Sequence, residues 1–194
     1  GTLLACTFNT ELKEELFTYL GLEMVENKVD CLLGPGINIQ RHPLNGRNFE
    51  YFSEDPLLTG KIAAAQLKGM KKFGAGGTLK HFAGNNQEHK RHTVDSVIDE
   101  RTLREIYLKG FEIAVKSGFC DSIMTSYGKL NGIYTASNYD LCTTILRKDW
   151  GYTGIVMTDW WAPLSTGKDG RPSSAEFNRI IKSQNDIFMV CPNS

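Results

Sequence analysis

The chain of 194 residues has no excess of charge of either sign: 22 Lys and Arg stand against 22 Asp and Glu, for a formal net charge of zero. Binding to nucleic acid or an anionic membrane surface draws on clustered, uncompensated Lys and Arg, so neither partner is expected. No apolar run approaches the roughly 20 residues that span a bilayer, and no membrane-spanning helix is expected. Cysteine is sparse. Cys6, Cys31, Cys120, Cys142 and Cys191 form no Cys-x-x-Cys pair, and their odd number leaves at least one thiol free, which argues against a disulfide framework or a zinc ribbon. No Gly-x-Gly-x-x-Gly follows a predicted strand; Gly74-Ala75-Gly76-Gly77 precedes one, on the wrong side for a phosphate cradle, and reads as a helix ending. What is present, 41% hydrophobic and 23% charged residues, is the composition of an ordinary globular domain. The chain opens at Gly1 rather than methionine and stops after Val190-Cys191-Pro192 without a terminating element, so it is expected to be part of a larger protein.

Apolar residues at Leu12, Leu16, Leu20 and Met24, four apart, predict an amphipathic helix over 9–25 with Asn9 or Thr10 as cap and Glu11, Lys13, Glu14 and Glu15 around it. A short strand over 29–33 meets the breaker Gly34-Pro35-Gly36. Further helices are expected over 57–73, from Asp99 to Gly118, over 137–150 and over 174–183, with strands over 78–82, 121–126, 154–158 and 187–190. Five strands alternating with five helices predict βαβ units and a parallel sheet. The loops entering strands are short, whereas those leaving them are long and carry Arg, His, Glu, Lys, Tyr and Trp. That asymmetry places a site beyond the carboxyl ends of the strands, as in a (β/α)8 barrel, although an open doubly wound sheet shares the bias.

Several polar residues stand where chemistry could use them. Lys80-His81 ends an otherwise apolar strand, where a charged Lys is costly to bury without a partner. Adjacent strand residues point to opposite faces, so either the bend into the loop re-aims one of them or the pair is a solvated strand end beside a core His. Arg47 lies in a loop over 46–56 dense in charges and aromatics, which suits a cleft for a polar ligand. In the same loop Glu54-Asp55-Pro56 reads as the acidic start of the next helix, with Ser53 as cap. His89 and His92 lack the helical spacing of a metal pair and have Arg91 between them, so zinc is not expected and the stretch reads as a solvated loop. The apolar run Ile155-Val156-Met157-Thr158 delivers Asp159 at its very end, followed by Trp160 and Trp161. A carboxylate at a strand end beside an aromatic wall is the type of group that attacks an anomeric carbon. Its simplest alternative is the cap of the following segment.

The runs Leu33-Gly34-Pro35-Gly36-Ile37-Asn38-Ile39, residues 46–56, Lys80-His81-Phe82-Ala83-Gly84-Asn85-Asn86-Gln87-Glu88, residues 99–107, Met124-Thr125-Ser126-Tyr127 with Asn131-Gly132, and residues 154–160 resemble, in order and spacing, the catalytic barrel of glycoside hydrolase family 3, β-glucosidase branch. The resemblance runs from about Gly1 to Trp160, with a weaker match over 165–186. It implies a (β/α)8 TIM-type barrel, present here as about five strand-helix units over 1–194. It implies a retaining mechanism with Asp159 as nucleophile, kept ionised by the Lys and Arg around it. Arg47, Lys80, His81 and Arg91 would bind sugar hydroxyls, Met124 and Tyr127 would line the same subsite, and Trp160 would form a platform toward the aglycone.

The resemblance implies no metal and no cofactor, and a β-glucoside or cello-oligosaccharide as substrate. The loop Ala83-Gly84-Asn85-Asn86-Gln87-Glu88 departs from the Pro-Gly-His-Gly-like loop of the N-acetylglucosaminidase branch, and Trp160 tilts away from β-xylosidases. Two family parts find no counterpart: the α/β-sandwich domain that carries the general acid, and an Asp-Gly-Pro segment that would lie upstream of Gly1. A β-xylosidase or aryl-β-glycosidase, or a non-catalytic sugar-binding barrel remnant, are the rival readings.

Overall fold

The computed structural model describes residues 1–189. In chain order, helices α1 (Thr2–Ala5) and α2 (Thr10–Glu26) precede strand β1 (Cys31–Leu32), and α3 (Pro56–Lys71) precedes β2 (Gly76–Phe82). After β3 (Asp95–Ser96), α4 (Glu100–Thr102), a π-type turn (Leu103–Tyr107) and α5 (Lys109–Lys116) lead to β4 (Ser122–Thr125). Two short strands, β5 (Lys129–Leu130) and β6 (Ile133–Tyr134), come before a π-type helix (Asp140–Asp149) and β7 (Ile155–Met157). The hairpin β8 (Ser165–Thr166) and β9 (Pro172–Ser173) and the short α6 (Asn178–Lys182) follow.

The central element is a parallel sheet in the order β1-β2-β4-β7, so successive strand-helix units lie side by side. The α/β class with a parallel sheet expected from the sequence is therefore the observed one. Among the described residues four strands form it rather than five, and they close no barrel. The fifth predicted strand is reduced to a bridge between Met157 and Ile187, and Val190 lies outside the described residues. The reason is that side chains intercept its ladder. Ile187 N–H donates to Val156 O and Thr158 N–H to Ile187 O, but Val156 N–H donates to Asp186 Oδ2 and Met189 N–H to Thr158 Oγ1.

The helix ends follow local chemistry. Asn9 Oδ1 accepts from Leu12 N–H to start α2, Asp99 Oδ1 from Thr102 N–H to start α4, and Asp55 Oδ1 from Leu57 and Leu58 N–H to start α3 with Pro56 in its first turn. Asp55, not Ser53, is thus the cap; Ser53 Oγ accepts from Asp55 N–H one step earlier. The helix over 140–149 is likewise served at its start by Asn138, whose Oδ1 accepts from Leu141 N–H. Helix α3 ends before Gly74, whose φ of +84° few other residues adopt, while Gly76 and Gly77 already belong to β2.

Helix α2 is rotated from its expected orientation. Lys13, Gly21 and Met24 are the buried positions, with Phe17 and Leu20 packed against the core, whereas Leu12 and Leu16 are about two-fifths exposed (38% and 42%). Lys13 can occupy this face because its Nζ sits over two aromatic rings, 4.1 Å from the Phe17 centroid and 4.6 Å from that of Phe52. Burial pushes its ammonium down to about 7. The core runs between helices and sheet through Ile62, Leu67, Met70, Leu79, Phe82, Phe111, Ile123 and Val156. Phe82 meets Phe111 and Trp150 edge-on at 5.1 and 5.9 Å, contacts worth about 0.5–1.5 kcal/mol each beyond their buried area.

Candidate active site

Beyond the carboxyl ends of the parallel strands lies a cavity of about 330 Å³ lined by Leu33, Arg47, Lys80, His81, Arg91, Met124, Tyr127, Asp159 and Trp160. All eight residues singled out in the sequence stand around it. Leu33 and Arg47 come from the loop after β1, Lys80 and His81 from the end of β2, Arg91 from the loop after β2, Met124 and Tyr127 from β4 and its exit, and Asp159 and Trp160 from the exit of β7. The larger cavity nearby, about 660 Å³ between the loops after β1 and β2, holds none of the eight.

Lys80 and His81 reach the same cavity although they are neighbours in a strand. Lys80 lies opposite Met124 and Phe82 opposite Thr125, consecutive residues of β4, so His81 is the extra residue of a bulge. A bulge re-aims the side chain it carries, which resolves the question left by strict alternation. His81 is almost fully buried. Its backbone is clamped by Asn38, whose Oδ1 accepts from His81 N–H at 2.8 Å and whose Nδ2 donates to His81 O at 2.9 Å. Its Nδ1 stands 3.3 Å from both Tyr51 Oη and Asn38 Oδ1, and its Nε2 faces Asp159 Oδ2 at 3.7 Å. Burial, then Arg47, Lys80 and Arg91, hold the imidazole well below its usual pKa, so it faces Asp159 as a neutral ring and not as an ion-pair partner.

Asp159 is buried and its Oδ1 accepts from Trp160 N–H at 2.7 Å. No helix follows; a turn does, closed by Ala162 N–H donating to Asp159 O, so this carboxylate caps no helix. Burial raises its pKa, opposed by the Trp160 N–H, the Tyr127 hydroxyl, Arg47 and Arg91, and the net direction is upward. The expectation that neighbouring cations govern its ionisation is corrected: burial outweighs Arg47 and Arg91, and Lys80 is engaged elsewhere, 2.9 Å from Glu50 Oε1. Burial and then the Asp159 charge push the Tyr127 hydroxyl upward, keeping it a donor.

The cations are held from behind. Arg47 grips Glu50 Oε2 through two nitrogens at 2.6 and 2.7 Å, and Arg91 reaches Glu88 Oε2 at 3.0 Å. Glu88 Oε1 accepts from Asn85 Nδ2 at 2.9 Å and lies 4.0 Å from Arg47. Asn85 Nδ2 also donates to Tyr51 Oη at 2.8 Å, which joins this network to His81. Gly36 permits the close packing: a Cβ there would stand 3.0 Å from Glu50 Cγ and from the Tyr51 ring. Glu50, Glu88, Tyr51, Asn38 and Asn85 do not stand out in the sequence as site residues, yet Arg47 with Glu50 and Glu88 with Arg91 are each three apart, a spacing that signals local ion pairs. Replacing Tyr51 by Phe leaves the Asn85 amide and the His81 ring short of a buried partner. Tyr51→Phe is expected to lower stability by about 1–2 kcal/mol, read by urea unfolding followed through tryptophan fluorescence.

The loop carrying Arg91 owes its position to a second, small sheet in the order β3-β5-β6, which joins it to the loop after β4. Ser96 Oγ donates to Gly84 O, Asp95 Oδ1 accepts from Gly132 N–H, and the Asn131 amide both donates to Ile98 O and accepts from Ile98 N–H. Thus the Arg91 guanidinium comes to rest 4.6 Å over the Tyr127 ring, on which His92 also stacks at 4.3 Å. Trp160, which lines the cavity, and Trp161 are both partly exposed and tilted against each other at 5.7 Å. Among the described residues no group of three or more His, Cys, Asp or Glu has the geometry to hold a metal ion, and no helix is long and apolar enough to cross a membrane.

Comparison with known proteins gives this arrangement a family. The chain is 62% identical over 191 residues to a β-glucosidase of Ruminococcus albus, covering 98% of this chain and 20% of that protein. It is 52% identical over 159 residues to thermostable β-glucosidase B of Acetivibrio thermocellus, covering 82% and 21% respectively. Among solved structures, a β-glucosidase from Paenibacillus barengoltzii superposes with a TM-score of 0.94 at 59% identity over 98% of this chain and 21% of that one. β-Glucosidase 3B from Thermotoga neapolitana, in complex with glucose, superposes with a TM-score of 0.88 at 47% identity over 96% and 24%. The chain therefore spans about a fifth of the length of the curated relatives it matches. The profile described as "Glycosyl hydrolase family 3 N terminal domain" matches residues 2–194, and the chain belongs to that family.

Proposed function

We propose that this chain is the nucleophile-bearing section of a longer retaining β-glucosidase, in which its parallel sheet forms an arc of a (β/α)8 barrel. The observation that carries the reading is the convergence of Asp159, three cations, a neutral His and an indole on one cavity at the strand ends. A glucosyl unit fits such a cavity chemically: planar and ammonium donors meet ring hydroxyls, and Trp160 offers an apolar face toward the leaving group. Asp159 attacks the anomeric carbon as the bond to the leaving oxygen breaks, giving a glycosyl ester that water then opens with overall retention. Arg47, Lys80 and Arg91 hold the hydroxyls, and those hydrogen bonds strengthen as positive charge develops on the sugar ring.

The proton for the leaving oxygen must come from a second carboxyl group about 5–5.5 Å from the nucleophile. Asp159 is the one acidic residue among those lining the cavity. Glu50 is a poor proton donor, because Lys80 and Arg47 outweigh the effect of burial and the net direction of its pKa is downward, so it stays a carboxylate. The acid is accordingly assigned to a part of the enzyme outside these residues, in the α/β-sandwich domain that the family resemblance implies. The substrate is a terminal β-D-glucoside, cello-oligosaccharides included. The test is turnover of 4-nitrophenyl β-D-glucoside and β-D-xyloside by the full-length parent protein, with the product anomer followed by NMR. Preferred glucoside cleavage with β-glucose appearing first supports the reading; xyloside preference moves it to a β-xylosidase, and binding without cleavage reduces the site to a sugar-binding module.

A further inference from the structure

The acids behind the cavity have a consequence for which sugars it admits. Arg47, Lys80 and Arg91 line it, and Asp159 is the acidic residue that faces them. Three cations against one carboxylate would make a strongly anion-attracting pocket, because charges at the mouth of a partly desolvated cleft are poorly screened. Glu50 and Glu88, which do not line the cavity, supply the two missing negative charges. Glu50 divides its oxygens, Oε1 to Lys80 and Oε2 to Arg47, while Glu88 takes Arg91 through Oε2 and approaches Arg47 through Oε1. Every cation is thus paired with an acid that does not itself line the cavity, and each cation keeps N–H groups for the cavity it lines. Side-chain exposures of 15% for Lys80, 19% for Arg47 and 21% for Glu50 and Glu88 keep these four largely out of bulk solvent, while Arg91, at 36%, is the solvent-facing end.

We propose that Glu50 and Glu88 are positioning and specificity-determining residues that turn a tricationic wall into fixed, directional donors with no net charge, so that the cavity takes a neutral sugar and excludes anionic ones such as uronic acids and sugar phosphates. The inference rests on the reading of the cavity as a glucosyl site. Each acid acts through the cations it holds and does not itself touch the sugar.

The test uses the full-length enzyme with inorganic sulfate as competitor against 4-nitrophenyl β-D-glucoside, at constant ionic strength. Glu50→Gln, which keeps the shape and removes the charge, is expected to lower the inhibition constant for sulfate at least about tenfold while raising KM for the glucoside. Glu50→Asp, which keeps the charge and alters the reach, should raise KM but leave sulfate inhibition near that of the wild type; a merely structural role for Glu50 would not separate the two variants. If Glu50→Gln does not fold, Glu88→Gln carries the same readout at the more exposed Arg91 end. If a variant folds without turning over, calorimetric sulfate binding replaces inhibition. Unchanged sulfate affinity in the Gln variants of an enzyme that cleaves the glucoside overturns the proposal. A wild-type enzyme that does not cleave it overturns the glucosidase reading instead, and sulfate calorimetry on the same variants still decides the charge-balance claim.

Discussion

Asp159→Asn in the full-length enzyme is expected to lower kcat on aryl glucosides by on the order of 10⁴-fold, because an amide cannot form the glycosyl ester. The same substitution should stabilise the protein at neutral pH. Burial raises the Asp159 pKa in the folded state, so the folded chain disfavours the charged form. The sign follows from linkage: a carboxyl group raised on folding costs nothing below its unfolded value near 3.9 and costs most once pH exceeds its folded value. The gain in melting temperature for the Asn variant should therefore be larger at pH 7 than near pH 4, and fade as the pH falls toward 4. Loss of activity together with a lower melting temperature at pH 7 would contradict this description. A gain of stability on loss of function is the behaviour expected of a group kept for chemistry at a cost to the fold.

Arg47→Met is expected to produce the second largest change. It removes the proposed sugar donor and the two-nitrogen partner of Glu50 at once, and leaves Glu88 with Arg91 as its remaining cation. A fall of about 10²–10³-fold in kcat/KM is expected, in line with the loss of one preorganised donor. Stability should drop by about 1–2 kcal/mol, less than the 3–5 kcal/mol of a fully buried broken pair, since Arg47 and Glu50 keep 19% and 21% of their side-chain exposure. Arg47→Lys should recover little of either quantity, because an ammonium cannot reproduce the two-nitrogen grip on one carboxylate. Steady-state kinetics and thermal unfolding on the two variants check both parts. Full recovery by Lys would show that charge alone, and not the fork, is what Glu50 requires.

What can be read from the sequence divides along physical lines. Asp159 is legible because an apolar run ends abruptly in a carboxylate, and a chain seldom delivers a charge to the end of a buried strand without a use for it. The parallel sheet is legible from alternating short strands and longer helices. Helix α2 departs from its expected orientation because periodicity counts residue types, whereas Lys13 buries its stem and places its charge over Phe17 and Phe52. The β3-β5-β6 sheet leaves no pattern to find, its strands being two residues each, yet it sets where Arg91 and Tyr127 meet. The bulge at His81 is equally silent, since only the pairing partner on β4 reveals the extra residue. Glu50 and Glu88 are hidden in plain view: their spacing from Arg47 and Arg91 is local, but their joint action on one cavity depends on chain segments brought together from about 40 residues apart.

The most direct test of the central claim is mechanism-based labelling of the full-length enzyme with an activated 2-deoxy-2-fluoro-β-D-glucoside, followed by peptide mapping. Trapping of a fluoroglucosyl ester on the peptide that carries Asp159, and its absence in Asp159→Asn, is the predicted result. A label on a peptide without Asp159, or rapid glucoside turnover by Asp159→Asn, would contradict it.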